Sequence, residues 1–138
     1  MADVEQSIHI EAPPEEVFDL FRDPNTFVEL ITGLQDAYRE GDSVEWVAEG
    51  PLGIKLSGEA AIVEEERPTR VRWKSTSGAL EVDGTARFAP EQDGTKLTYT
   101  LSYEVPGGMA GKAVAGALTD MDGQIRHTLA QLKHLAEN

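Results

Sequence analysis

Cysteine is absent from all 138 residues, which excludes a disulfide framework, a thiolate metal site and a cysteine nucleophile, and leaves the redox compartment open. Basic residues are scarce: 12 Lys and Arg face 25 Asp and Glu, for a formal net charge of -13. That field repels phosphate backbones and anionic membrane surfaces, so no nucleic acid partner is expected. The acidic excess fits a salt-adapted interior as well as ordinary solubility, and neither names a ligand. Long apolar runs are missing as well; none approaches the roughly 18 residues of a membrane span. The opening stretch MADVEQSIHIEAPPEE carries acids where a signal peptide has a basic region and an apolar core. A cytoplasmic protein with no integral membrane association is therefore expected.

What is present is ample apolar material. Hydrophobic residues make up 40% of the chain and are spread along it, which is enough for one core and one domain over residues 1–138. Val4, Ile8 and Ile10 alternate with Glu5, Ser7, His9 and Glu11, the period of two that marks a strand with one wet face. Pro13 and Pro14 stop that ladder. Glu15 and Glu16 then suit a first helical turn ahead of Val17, Phe18, Leu20 and Phe21. Asp23-Pro24 reads as a cap and first position for a second short helix carrying Phe27, Leu30 and Ile31 and ending at Gly33.

From Leu34 onward the punctuation is that of a β-meander. Gly41-Asp42, Gly50-Pro51, Arg67-Pro68, Ser77-Gly78 and Gln92-Asp93-Gly94 separate six strands, over about 34–40, 43–49, 54–66, 69–76, 79–89 and 95–105. Alternation gives the apolar phase of most: Val44, Trp46 and Ala48; Ile54, Leu56, Gly58, Ala60 and Ile62; Val71 and Trp73; Leu80, Val82, Gly84, Ala86 and Phe88; Leu97, Tyr99, Leu101, Tyr103 and Val105. The segment 34–40 is ambiguous in phase. On the opposite face Arg70, Arg72 and Lys74 oppose Glu81 and Asp83, which reads as exposed cross-strand pairing in preference to an anion site. After Pro106-Gly107-Gly108 the period becomes helical, with Val114, Leu118, Met121, Ile125, Leu129, Leu132 and Leu135 stepping three and four residues apart.

The expected architecture is α+β: a seven-stranded curved antiparallel sheet around a long C-terminal helix, with two short helices after the first strand. One apolar sheet face needs a cover, and the C-terminal stripe is the long one available. A helix roughly 10–12 Å across does not fill a strongly curved seven-stranded sheet along its full width. Small residues on the inward phase (Gly58, Ala60, Gly84, Ala86) facing Gly108, Ala110, Gly111, Ala113, Ala115, Gly116 and Ala117 leave volume there. The same glycines equally permit close packing or bulges with no cavity.

These segments resemble the START-like helix-grip superfamily, in particular the polyketide cyclase/dehydrase and coenzyme Q-binding-like branch of bacterial SRPBCC proteins. The likeness spans nearly the whole chain. It rests on Ile10-Glu11-Ala12-Pro13-Pro14-Glu15-Glu16-Val17-Phe18, Asp23-Pro24, Val71-Arg72-Trp73-Lys74-Ser75, Gly84-Thr85-Ala86-Arg87-Phe88, Tyr103-Glu104-Val105-Pro106-Gly107-Gly108 and Leu132-Lys133-His134-Leu135. The resemblance implies a helix-grip fold and an apolar ligand such as a lipid, quinone or polyketide-like molecule. It implies no reaction, because these segments set strands, turns and helix starts.

No nucleophile–base pair, metal cluster or converging acids stand out, so no catalytic residue, metal ligand or cofactor is assigned. His9 lies on the wet phase, and His127 and His134 fall away from the apolar stripe. Glu64 continues the phase of Ile62 and is expected at the rim. Tyr99 and Tyr103 each join an apolar ring to a hydroxyl that needs a partner when buried, and Ser75 shares the phase of Trp73. The expected lining is Trp46, Leu56, Trp73, Ser75, Phe88, Tyr99, Leu101 and Tyr103 from the strands, with Met109, Val114, Leu118 and Met121 from the C-terminal part. Neither Gly50-Pro51-Leu52-Gly53 nor Gly107-Gly108-Met109-Ala110-Gly111 continues into the Gly-Lys-Ser/Thr of a phosphate loop; both read as loops, the second a candidate gate. The expectations are a carrier of a small hydrophobic molecule, a cyclase-like enzyme using Tyr99, Tyr103 or Glu64, or an interaction scaffold, as a monomer or homodimer.

Overall fold

A computed structural model of the chain describes residues 2–30, 34–49, 53, 55–78, 81–104 and 121–137. In chain order the elements are β1 (Ala2–Ile10), α1 (Pro14–Arg22), α2 (Pro24–Leu30), β2 (Leu34–Glu40), β3 (Ser43–Glu49), β4 (Lys55–Glu66), β5 (Arg70–Gly78), β6 (Glu81–Glu91), β7 (Gly94–Glu104) and α3 (Met121–Ala136). The seven strands form one curved, fully antiparallel sheet in the order β1-β7-β6-β5-β4-β3-β2. Five hairpins carry the chain from β2 to β7, and β1 then pairs with the last strand. The alternation seen in the sequence therefore becomes one continuous apolar face.

Local chemistry accounts for the element ends. Pro13 caps α1 with Pro14 following, and both lack the N–H groups a helix start would leave unpaired. Asp23 separates the two short helices, its Oδ1 accepting from Asn25 N–H at 3.0 Å and its carbonyl from Thr26 N–H at 3.1 Å. Gly41 turns β2 into β3 with φ +63°, a backbone region that glycine enters without a Cβ penalty.

Three register shifts interrupt the ladders: one, between Glu59 and Ala60, leaves Ala60 opposite Ser75, and the other two set which side chains of β2 and β4 face inward. Between Leu34 and Asp36 the β2–β3 register shifts, so Leu34, Ala37 and Arg39 share the inner face, which resolves the ambiguous phase of this strand. Between Ile62 and Glu64 the β4–β5 register shifts again: Ile62 pairs with Trp73, but Glu64 pairs with Arg72. The expectation that Glu64 continues the inward phase of Ile62 is thereby corrected. The extra residue, Val63, flips the alternation, so Glu64 faces solvent and Glu65 turns inward.

The core lies where α1 and α3 meet β1, β6 and β7. Ile10, Val17, Phe18, Leu97 and Leu132 are fully enclosed there, and Phe88 packs edge-on against Phe18 and Phe21 at ring-centroid distances of 5.4 and 5.6 Å. On α3 the buried positions are Ile125, Leu129 and Leu132. Leu135, expected on the same stripe, is 37% exposed; at 100° per residue it falls well to the side of the line through Ile125, Leu129 and Leu132, whereas Ala136 continues that line. The helix end is fastened to β1: Lys133 Nζ donates to the His9 carbonyl at 2.9 Å, and Glu137 accepts from the Glu11 N–H at 2.8 Å. The ion-paired hydrogen bond from Lys133, together with that N–H, holds the Glu137 carboxyl below its usual range.

Thr95 is an enclosed polar group of this core, and its hydroxyl donates to the Ala12 carbonyl at 2.8 Å. Thr95→Val keeps the shape but leaves that carbonyl unpaired, so urea denaturation is expected to register a loss of about 1–3 kcal/mol. A loss under roughly 0.5 kcal/mol would mean that water or another donor satisfies Ala12.

Candidate ligand-binding site

The inner face continues past the main core onto β3, β4 and β5. Of the described helices, α1 packs on β6 and β7, α2 on β2 and α3 on β1. The inward side chains between those contacts, Val44, Trp46 and Ala48 on β3, Leu56 on β4 and Trp73 on β5, are only partly buried. Together they make an apolar wall on the same face of the sheet as the main core.

Its two tryptophans are seated by glycines. Trp46 stands directly opposite Gly58 across the β3–β4 ladder, and Trp73 stands opposite Gly84 across β5–β6. A Cβ on Gly58 would come within 2.7 Å of Trp46 Cζ2, and one on Gly84 within 2.6 Å of Trp73 Nε1. Such distances are overlaps, so each indole lies down over the bare backbone of its neighbour. The expectation that small inward residues leave empty volume is therefore corrected at Gly58 and Gly84, where the missing side chains make room for rings. The result is a pair of broad aromatic plates in the sheet surface.

Polar groups are few and specific. Trp73 donates its indole N–H to the Tyr99 hydroxyl, and Tyr99 packs against Phe21 at 5.6 Å between ring centroids. Burial holds the Tyr99 phenol above its usual pKa and the tryptophan bond only partly offsets this, so the group stays protonated at neutral pH. A neutral phenol that accepts from tryptophan keeps its own hydrogen to donate. Ser75 Oγ accepts from the Val82 N–H at 2.9 Å, extending the β5–β6 ladder one step beyond its last paired residues, Lys74 and Asp83. Tyr103 is partly buried on β7, opposite Val82.

The remaining sequence-predicted residues divide into two groups. Leu101 and Phe88 share the inner face but are 6% and 3% exposed and belong to the core, Phe88 lying beneath α1. Met109, Val114 and Leu118 lie outside the described residues, as does the side chain of Met121, the first residue of α3, and the candidate gate at Gly107–Gly111. His9 faces outward with Nδ1 3.7 Å from Glu91, and His127 and His134 are exposed on α3. Among the described residues no three His, Asp or Glu side chains converge as a metal site would require.

A charged corner closes the β2 end of this face, and the alternation pattern gives no sign of it. Arg39, its side chain 15% exposed, points inward, donating from Nε to the Gly41 carbonyl at 2.8 Å and from Nη2 to Glu65 at 3.1 Å. Arg22, at the end of α1, reaches the other oxygen of Glu65 at 3.5 Å. Two guanidinium groups on one carboxylate leave a net positive charge. Only the bulges at Gln35 and Val63 bring these residues together, and a bulge leaves little trace in a one-residue alternation pattern.

This arrangement, a curved seven-stranded antiparallel sheet with two short helices after its first strand and a C-terminal helix, is the START-like helix grip. A family model described as "Polyketide cyclase / dehydrase and lipid transport" matches residues 1–137, and the chain belongs to that family. Solved structures share the fold. The protein TTHA0849 from Thermus thermophilus is 27% identical, with a TM-score of 0.73 over 96% of this chain and 95% of its own. A START superfamily protein from Mycobacterium smegmatis is 17% identical, with a TM-score of 0.66 over 94% of this chain and 98% of its own. The di-domain ARO/CYC BexL from the BE-7585A biosynthetic pathway is 21% identical, with a TM-score of 0.73 over 99% of this chain and 50% of its own. No curated protein matches by sequence.

Proposed function

We propose that this protein binds and carries a small hydrophobic molecule, a lipid, quinone or polyketide-like compound, between the inner sheet face and the C-terminal helical region. The observation that carries the reading is the pair of glycine-seated indoles on a part-exposed apolar wall. Flat ring surfaces with few polar groups suit a ligand held by burial and stacking and oriented by one or two hydrogen bonds. Trp46, Leu56, Trp73, Ser75, Tyr99 and Tyr103 form the wall, and Phe88 and Leu101 its floor. The family description includes lipid transport, which supports the same ligand class. The proposed location of the carrier is the cytoplasm. No described helix is long and apolar enough to cross a membrane.

A second reading, cyclase-like catalysis, is favoured by one feature, the Tyr99 hydroxyl held protonated beside Trp73. Such a group acts as hydrogen-bond donor or acid, not as base. Unchanged turnover of a polyketide-like substrate by Tyr99→Phe would remove it.

Trp46 and Trp73 are the two tryptophans of the chain, so its indole emission reports on the proposed site alone. Titration with a short-chain ubiquinone is expected to quench that emission saturably, with Trp46→Phe and Trp73→Phe each retaining part of the signal. Native mass spectrometry of the purified protein is expected to show an apolar adduct with the same or an added probe. Linear, non-saturating quenching together with an adduct-free spectrum would refute the carrier reading.

A further inference from the structure

The solvent face of the sheet carries a second, chemically opposite feature. An open hollow of about 280 Å³ is lined by Glu64 of β4, Arg70 and Arg72 of β5, Asp83, Thr85 and Arg87 of β6, and Thr100 and Ser102 of β7. Three of the twelve Lys and Arg of a chain with net charge -13 thus meet at one place. Arg70 and Arg87 stand directly opposite each other in the β5–β6 ladder. Like charges in that position repel unless an anion lies between or beside them.

In number the carboxylates match the arginines, but they are unevenly shared: among the described residues Glu64 and Glu66 both lie on Arg70 and Asp83 on Arg72, which leaves Arg87 without one of its own. Asp83 takes both Nε and Nη2 of Arg72, at 3.2 and 2.8 Å, and Glu64 takes Nη2 of Arg70. Ser102 spends its hydrogen on Asp3 at 2.6 Å. The Nε of Arg70 is buried with no hydrogen-bond partner, and among the described residues nothing pairs with Arg87. A buried cationic donor without an acceptor is costly and demands an explanation. Thr85 and Thr100, paired across β6 and β7, add two hydroxyls to the floor. An adjoining hollow of about 290 Å³, with Glu66 and Thr69, shares Arg70 and Arg87 as its wall.

We propose that this outer hollow binds the phosphate group of a small anion, held by the Arg87 guanidinium and Arg70 Nε with the Thr85 and Thr100 hydroxyls. Guanidinium groups match the oxygens of such an anion in plane and charge, and a tetrahedral group has further oxygens for the hydroxyls. The surrounding acidic field repels a polyanion or an anionic membrane, which selects a small free molecule. The site lies on the opposite face of the sheet from the proposed apolar wall and does not depend on it.

The test is a titration of the Arg Nε–H resonances of the whole protein with inorganic phosphate, against chloride at the same ionic strength. The Arg70 and Arg87 signals are expected to move together along one saturating curve. Arg87→Gln alters an exposed, unpaired side chain and is expected to raise the dissociation constant about tenfold, while Glu64→Gln frees Arg70 and lowers it. Lys55→Gln makes the same charge change as Arg87→Gln, nine residues along β4 from Glu64 and so roughly 30 Å away at about 3.3 Å per residue; it is expected to leave the constant unchanged. Absence of saturation, or a Lys55→Gln effect equal to that of Arg87→Gln, would overturn the site in favour of a general ionic response.

Discussion

Replacing Phe88 by alanine is expected to remove about 3–5 kcal/mol of folding stability, the largest effect of any single substitution considered for this protein. The side chain is 3% exposed and sits where β6 passes beneath α1. Its loss removes buried area and two edge contacts, to Phe18 and Phe21, each of which contributes roughly 0.5–1.5 kcal/mol beyond burial. Collapse cannot easily refill the space, because the position is fixed from below by the ladder pairing with Leu97. The nine-residue α1 is too short to persist by itself, so its docking depends on this contact. Urea unfolding would show the midpoint shifted at nearly constant slope. A change below about 1 kcal/mol would mean that α1 does not rest on the sheet through these rings.

The contrast between Phe88 and the charged corner shows which parts of the fold are readable from sequence. Phe88 lies on a strand of unbroken alternation, Val82 to Phe88, so its inward placement follows from period two alone. The β2 and β3 ranges, 34–40 and 43–49, also follow from turn chemistry at Gly41-Asp42. Alternation puts Glu64 on the wrong face because the bulge at Val63 inserts one residue without a glycine or proline to mark it. Arg39 escapes notice for a related reason: the bulge at Gln35 hides the phase of its strand. The glycines present a third case. Composition shows that the inner face is lined with small residues, but whether they leave a void or seat a neighbour depends on cross-strand register. Register puts Gly58 against Trp46 and Gly84 against Trp73.

That last pairing can be isolated energetically. Gly84→Ala places a methyl group 2.6 Å from Trp73 Nε1, and the indole must lift from the sheet to admit it. Overpacking of this kind costs about 1–3 kcal/mol. Trp73→Ala alone is expected to cost about 3 kcal/mol, from the lost ring and the lost N–H donor to Tyr99. If the two residues act as plate and seat, the double variant is not the sum of the singles. With the ring gone, the alanine methyl group has open space, and the change becomes close to neutral, or stabilising by up to about 1 kcal/mol through reduced chain freedom in the unfolded state. The expected coupling is therefore about 1–4 kcal/mol. The functional readout moves with it: lifting the indole tilts one plate of the proposed apolar wall, so Gly84→Ala weakens the saturable ubiquinone quenching while Trp46 still reports. An alanine at position 84 that is equally costly with and without Trp73 would show that the glycine serves the backbone and not the ring.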